Sequence, residues 1–337
     1  MTVYSGTFDV RDEQFMRRAL GAALQARLVA RPNPWVGAVV VATDGSTYEG
    51  FTAAPGGPHA EIAALSRAGS ASRGATLYST LEPCSHTGRT GPCTKAIIDA
   101  GISRVVVGVV DPDIKVAGRG IAQLRDAGVS VDIGACAAQV QTQLAPYLHH
   151  RSTGRPWVVL KMASTIDGRT AAADGSSRWI TGSVARQRVH ELRAESDAVL
   201  VGAGTVRADN PELTVRDADG PSPRRIVLGK APAEAKVHPC TEWSGELEAL
   251  LDTLGGEDVL QLLVEGGAQV AGEFHRRGLV NRYVFHLAPC VAGGDDARGI
   301  FAGSAASSMA EMWRGKVFSS QQLGDDIEVI IEPKEEK

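Results

Sequence analysis

The sequence predicts two successive α/β domains. Three observations carry this reading. The 337 residues correspond to about two domains at roughly 150 residues each. Apolar segments of helical period alternate with short β-branched runs along both halves, which implies mostly parallel sheets with helices on both faces. The stretch from Tyr147 to Pro156 is polar and is interrupted by Gly154 and Pro156, which places a boundary between residues 1–150 and 151–337. No fixed-period repeat is present, so the halves read as two different domains.

The elements follow in order. Asp12 to Ala30 carries Phe15, Met16, Ala19, Leu20, Ala23, Leu24 and Leu28 at helical spacing and predicts an opening helix. Val36–Ala42 reads as a strand, His59–Ala68 as a helix and Ala75–Ser79 as a strand. Thr94–Ala100 is a helix that Gly101 stops. Arg104–Val109 is a buried strand, Gly118–Ala127 a helix and Val129–Ile133 a strand. The second half opens on a strand at Trp157–Lys161, then a helix at Val184–Ala194 and a strand at Ala198–Gly202. Arg225–Leu228 and Val259–Glu265 are further strands. Gly267–Arg277 is a helix, and Arg282–Leu287 and Ile327–Ile331 are strands. Asp217–Pro223 is a loop rich in Pro and Asp.

Composition narrows the function. With 43% hydrophobic and 22% charged residues the chain is globular rather than disordered. Lys+Arg of 35 against Asp+Glu of 39 leaves a net charge of 35 − 39 = −4, a poor basis for coating a phosphate backbone, so no nucleic-acid partner is expected. Apolar runs such as Val105–Val110 are far too short to span a membrane. The N-terminal segment has no apolar h-region, and a cytoplasmic protein is expected. Five scattered cysteines do not form a disulfide framework. Cys84 and Cys93 stand apart, because they lie close together among turn residues.

The strongest chemical signal is His59-Ala60-Glu61, followed by Pro83-Cys84 and Pro92-Cys93. Two thiolates and an imidazole suit tetrahedral zinc, and three ligands leave the fourth position open for a water that deprotonates near neutral pH. Side chains two apart face opposite sides of a helix interior, so His59 and Glu61 converge only at a helix end. The Pro55-Gly56-Gly57-Pro58 loop places His59 at that end. A carboxylate there can shuttle protons, and the constellation is that of zinc deaminases. The competing reading is a closed structural zinc. That needs a fourth ligand, and the nearby His86 is only two residues from Cys84.

In the second half, Gly202-Ala-Gly204-Thr-Val-Arg207 lacks the third glycine of a dinucleotide fingerprint, so a Rossmann dehydrogenase is not supported. This loop and Val264-Glu265-Gly266-Gly267-Ala268 both follow strands, and the latter opens a helix. Each reads either as a phosphate cradle or as a tight turn.

Thr80-Leu-Glu-Pro-Cys84-Ser-His86-Thr-Gly-Arg89-Thr-Gly-Pro-Cys93 resembles the deaminase domain of the bifunctional riboflavin-biosynthesis deaminase–reductases. Most other zinc deaminases place the cysteines as Cys-x-x-Cys, whereas eight residues separate them here. Asn33-Pro34-Trp35-Val36-Gly37 and Asp111-Pro112-Asp113 through Gly120 resemble the same family. So do Leu160 to Ala171, Trp179-Ile180-Thr181-Gly182, Asp209 to Arg216 and Glu265-Gly266-Gly267, which match its reductase domain. The resemblance spans roughly Asp12 to Ile331 and is weakest over Asp217–Leu254. It implies a cytidine-deaminase-like three-layer domain followed by a dihydrofolate-reductase-like α/β domain.

It also implies roles. His59, Cys84 and Cys93 would hold one Zn2+ per chain, Glu61 would be the proton shuttle, and Asn33, His86 and Arg89 would contact the substrate. Ala163, Trp179, Thr205, Asp209, Gly267, Ala268 and Gly272 would line NADPH. Ser177, Arg193, Leu213, Arg216 and Glu265 would line the reductase substrate. Arg89, Arg193 and Arg216 read equally as surface charges, and Lys161 and Asp167 as orienting or structural residues. The implied reactions are hydrolytic deamination of a diamino-ribosylamino-pyrimidinone 5′-phosphate and NADPH reduction of its ribosyl to a ribityl side chain, in a homo-oligomer, dimer or tetramer. At Thr52, where many family members have His, a substrate contact is lost, replaced or made by water. The alternatives are a nucleoside deaminase with an unrelated partner domain, a reductase with an inactive zinc domain, and a non-catalytic binding module.

Overall fold

Asp9 starts the first helix. Its carboxylate accepts the Asp12 amide at 2.8 Å and caps α1 (Val10–Ala23), a role suited to a short acceptor. The structure is a computed structural model describing residues 8–86 and 91–334. The opening helix ends at Ala23 rather than Ala30. The chain tightens into a 3₁₀ turn over Leu24–Ala26, although Ala26 and Ala30 stay fully buried.

The chain divides into two compact units, Met1–Gly154 and Arg155–Lys337. The first continues with β1 (Gly37–Val41), β2 (Thr47–Phe51), α2 (Ala60–Ala68), β3 (Thr76–Leu81), α3 (Cys93–Asp99), β4 (Arg104–Val109), α4 (Arg119–Asp126), β5 (Ser130–Ile133) and α5 (Ala137–Thr153). Its sheet runs β2-β1-β3-β4-β5. The expected mostly parallel sheet is corrected here. β3, β4 and β5 are parallel, but β1 pairs antiparallel with both β2 and β3. The cause is a tight β1–β2 hairpin at Asp44-Gly45, where the Asp44 carboxylate accepts the Ser46 amide and Gly45 takes φ 86°, conformations these residues favour in turns.

Most of the polar stretch in which the boundary was expected is helical. Residues 147–153 are the last turns of α5, which accommodates Pro146 and ends at Gly154 with φ 75°, the αL stop glycine supplies. The start of α2, which carries the first site, is seated by Gly50 of β2. A Cβ at Gly50 would lie 2.3 Å from the Ala60 carbonyl oxygen.

The second unit comprises β6 (Trp157–Thr165), α6 (Ser183–Ala194), β7 (Ala198–Gly202), α7 (Ala203–Asp209), β8 (Arg224–Leu228), β9 (Thr241–Trp243), α8 (Leu247–Gly256), β10 (Gln261–Val264), α9 (Ala268–Arg276), β11 (Arg282–Ala288), β12 (Gly315–Leu323) and β13 (Asp326–Pro333). Its sheet runs β12-β13-β11-β6-β10-β7-β8-β9. The pairings from β11 through β9 are all parallel.

Strand alternation sends side chains to opposite faces and sorts this core into two layers. Val158, Leu160, Met162, Leu200 and Leu262 pack with Leu250 and Leu254 of α8 and Phe274 of α9. Val159, Val199, Val201 and Leu263 pack with Leu192 of α6 and Val206 of α7. Helices therefore cover both faces, as the β-branched strands required. Phe274 is fully buried, so Phe274→Ala is expected to cost about 3–5 kcal/mol, read as a lower urea midpoint for the transition that abolishes the second unit's activity.

Candidate functional site

The first site forms where three chain segments meet. His59 is the N-cap of α2, with extended backbone (φ −72°, ψ 163°), so its ring leaves the helix end while Glu61 lies in the first turn. Cys84 follows β3, and Cys93 opens α3 behind Pro92. His59 Nδ1 lies 3.6 Å from Cys84 Sγ and 3.4 Å from Cys93 Sγ, and the three ligand atoms lie within 4.8 Å of one another. The Cys93 amide donates to Cys84 Sγ at 3.4 Å.

Two soft sulfurs and one imidazole nitrogen at this spacing fit zinc. Among the described residues no fourth His, Cys, Asp or Glu joins the set, and His86 is exposed. The donor set is therefore the open, three-ligand kind. The hydrogen bond from the Cys93 thiol, assisted by His59, holds Cys84 well below the ordinary thiol range, and the same bond together with burial pushes Cys93 up. Glu61 is 4% exposed. Burial, reinforced by the Cys84 charge, lifts its carboxyl to about 7.

The remaining candidates differ. Asn33 is half-buried on the loop before β1, and Arg89 lies outside the described residues. Thr52 is buried and turned toward the backbone. Its Oγ1 accepts the Val36 amide at 3.1 Å and donates to the Val36 carbonyl at 3.4 Å, so its hydroxyl is used internally.

The second site is a cavity of about 860 Å3. Ala163 from β6, Ser177 and Trp179 from the following loop, and Arg193 from α6 line it. So do Thr205 and Asp209 from α7, Leu213 and Arg216 beyond α7, and Glu265, Gly267 and Ala268 between β10 and α9. Gly272 does not. It lies inside α9, where a Cβ would meet the Ala302 carbonyl oxygen at 2.1 Å, so the packing there admits only glycine. Lys161 lines the cavity and Asp167 does not. Instead the Asp167 carboxylate accepts the Ala292 and Gly293 amides and anchors a loop whose Arg298 reaches the cavity wall. Arg298, Arg186, Lys236 and His190 are lining residues that the sequence reading missed. Only the tertiary fold gathers them, and no local motif marks them.

Charge is concentrated in the wall. Arg193 grips Glu265 with two bonds of 2.6 and 2.8 Å, both side chains being 11% exposed. Burial alone would raise the Glu265 carboxyl, but Arg193 and then Lys161 hold it below its ordinary range, and burial lowers Lys161. Arg216 is engaged by the Glu212 carboxylate, and Ser177 Oγ donates to Asp209 at 3.2 Å. The Trp179 ring is 70% exposed and has the Arg186 guanidinium 4.6 Å from its centroid, a flat surface suited to stacking a planar ligand ring. Leu213 is buried yet has φ 57°, a strained αL backbone of the kind concentrated at ligand sites.

Comparison with known proteins bears on both sites. A model of the cytidine and deoxycytidylate deaminase zinc-binding region matches residues 9–109, and a model of the RibD C-terminal domain matches residues 156–329. The riboflavin biosynthesis protein RibD of Escherichia coli K12 is 36% identical over 94% of this chain and 98% of its own. That of Mycobacterium tuberculosis H37Rv is 42% identical over 84% and 86%. Among solved structures, Acinetobacter baumannii RibD matches with a TM-score of 0.90 at 37% identity, covering 96% of this chain and 99% of that one. A Thermotoga maritima diaminohydroxyphosphoribosylaminopyrimidine deaminase/5-amino-6-(5-phosphoribosylamino)uracil reductase matches with a TM-score of 0.86 at 35% identity over the same shares.

Proposed function

The chain belongs to the RibD family, the bifunctional deaminase–reductases of riboflavin biosynthesis, and we propose how its residues divide that work. Deamination of the diaminopyrimidine ribosyl phosphate is assigned to the unit ending at Gly154, and NADPH-dependent reduction of the ribosyl side chain to the unit beginning at Arg155. The observation that carries the assignment is the three-donor cluster of His59, Cys84 and Cys93 with Glu61 buried in the adjoining first turn of α2.

His59, Cys84 and Cys93 hold the zinc. When bound, zinc lowers the pKa of water so that hydrolysis runs near neutral pH. Glu61 takes the proton of the attacking water and delivers it to the departing amino group, a transfer its place beside the ligands permits. Asn33, His86 and Arg89 contact the substrate. In the second unit, NADPH supplies the reducing equivalent, and the protein binds and orients. Ala163, Trp179, Thr205, Asp209, Gly267 and Ala268 line the cofactor. Ser177, Arg193, Leu213, Arg216 and Glu265 line the substrate, with arginines suited to a ribose phosphate.

We also propose a homo-oligomer. β12 is an outer strand of the sheet and is exposed almost throughout, Val317 and Phe318 included, and such an edge invites pairing. A cytoplasmic site of action suits the small phosphorylated substrate and NADPH. Among the described residues no helix is long and apolar enough to cross a membrane.

Elemental analysis of the purified chain is expected to find one zinc per chain. The zinc protein should release ammonia from the diaminopyrimidine phosphate and then oxidise NADPH. Zinc-loaded protein that releases no ammonia would contradict the assignment.

A further inference from the structure

We infer that Glu82 is a positioning residue for Cys84, an inference that rests on the proposed role of Cys84 as a zinc ligand. Glu82 lies two residues before Cys84, directly after β3, and is 3% exposed. Its carboxylate is divided between two pairs of backbone donors. Oε1 accepts the Gly120 amide at 2.9 Å and the Ile121 amide at 3.2 Å. Oε2 accepts the Gly118 amide at 2.9 Å and the Asp111 amide at 3.3 Å. Three of these amides belong to the start of α4, whose first N–H groups have no partner within the helix and carry its positive end.

The grip extends along the chain toward the ligand. The carbonyl of Pro83 is pressed against Gly120, where a Cβ would lie only 2.0 Å from the oxygen. Pro83 has a fixed φ, so little slack remains between the anchored carboxylate and Cys84. On its far side Cys84 is held by α3. Its carbonyl accepts the Thr94 amide at 3.1 Å, its Sγ accepts the Cys93 amide at 3.4 Å, and Thr94 Oγ1 ties α3 to Gln123 of α4 at 2.7 Å. The sulfur is thus suspended between the first turns of two helices, and Glu82 is the anchor on one side. Glutamine has the same shape but satisfies only one pair of donors. In either orientation its amide N–H2 faces two backbone N–H groups, and leaving buried donors unpaired is costly.

The test uses the full chain loaded with Co2+ in place of zinc. Wild-type protein is expected to show thiolate-to-cobalt charge-transfer and tetrahedral ligand-field bands. Protein without thiolate bands would overturn the zinc-ligand reading itself and this inference with it. Given those bands, Glu82→Gln is expected to shift them and to release cobalt to a chelator about 10–100-fold faster, the range for partners that orient metal ligands. Gly120→Ala keeps the carboxylate but displaces the Pro83 carbonyl, and the same direction of change is expected. It carries the test alone if Glu82→Gln does not fold. Folded variants with wild-type bands and release rates would overturn the positioning role. So would loss of ammonia release with an unaltered cobalt spectrum.

Discussion

Glu61→Gln is expected to lower ammonia release by about 10²–10⁴-fold, the contribution of a placed general acid–base group, while the protein keeps one zinc per chain. The side chain is buried in the first turn of α2, and glutamine preserves its volume, so the ligands at His59, Cys84 and Cys93 stay as they are. Only the capacity to accept and return a proton is removed. NADPH oxidation with an already deaminated pyrimidine phosphate should continue at the wild-type rate, because the second cavity shares no residue with α2. A Glu61→Gln protein that retained zinc and released ammonia within tenfold of wild type would remove Glu61 from the reaction.

Arg193→Leu is expected to have the largest effect in the second unit. It leaves the Glu265 carboxylate in the cavity wall without its bidentate partner, and breaking a buried pair from one side costs about 3–5 kcal/mol. Removing both charges with Arg193→Leu and Glu265→Leu should restore most of the lost stability, since well-packed apolar replacements of buried pairs are often neutral, yet leave NADPH oxidation abolished. Thermal unfolding and initial rates on the three proteins check this. Equal losses of stability in the single and double variants would contradict it. The pair also sets a pH dependence. The Glu265 carboxyl is held below its ordinary 4.5, so the folded state binds fewer protons than the unfolded state there. The pair's contribution is fully present above about 4.5 and is lost as pH falls through the depressed folded value.

The zinc cluster was legible because metal chemistry restricts residue type and spacing together. His59 could face Glu61 only at a helix end, the Pro55–Pro58 loop supplied that end, and His59 is the N-cap of α2. The strand at Trp157–Lys161 was likewise legible, and the structure sends its alternate side chains into two buried layers. α5 was hidden by Pro146 and by the polar His149-His150-Arg151 turn, although Val140, Leu144 and Tyr147 are buried at helical spacing. β12 has a largely exposed surface and so shows no burial pattern to read. The cavity wall was only partly legible. Glu265 and Arg193 lie 72 residues apart, and Arg298 arrives on a loop whose anchor, Asp167, looks like a candidate site residue when read locally. Gly272 shows the converse, a glycine in a motif-rich segment that packs against the Ala302 carbonyl.

Two separate chemistries on one chain are tested most directly by stripping the metal from the two-unit chain. Metal-free protein is expected to release no ammonia from the diaminopyrimidine phosphate, yet to oxidise NADPH at the wild-type rate when given the deaminated pyrimidine phosphate. Restoring zinc should bring back ammonia release alone. Undiminished deamination without metal, or loss of NADPH oxidation along with it, would contradict the division of the two reactions between the two units.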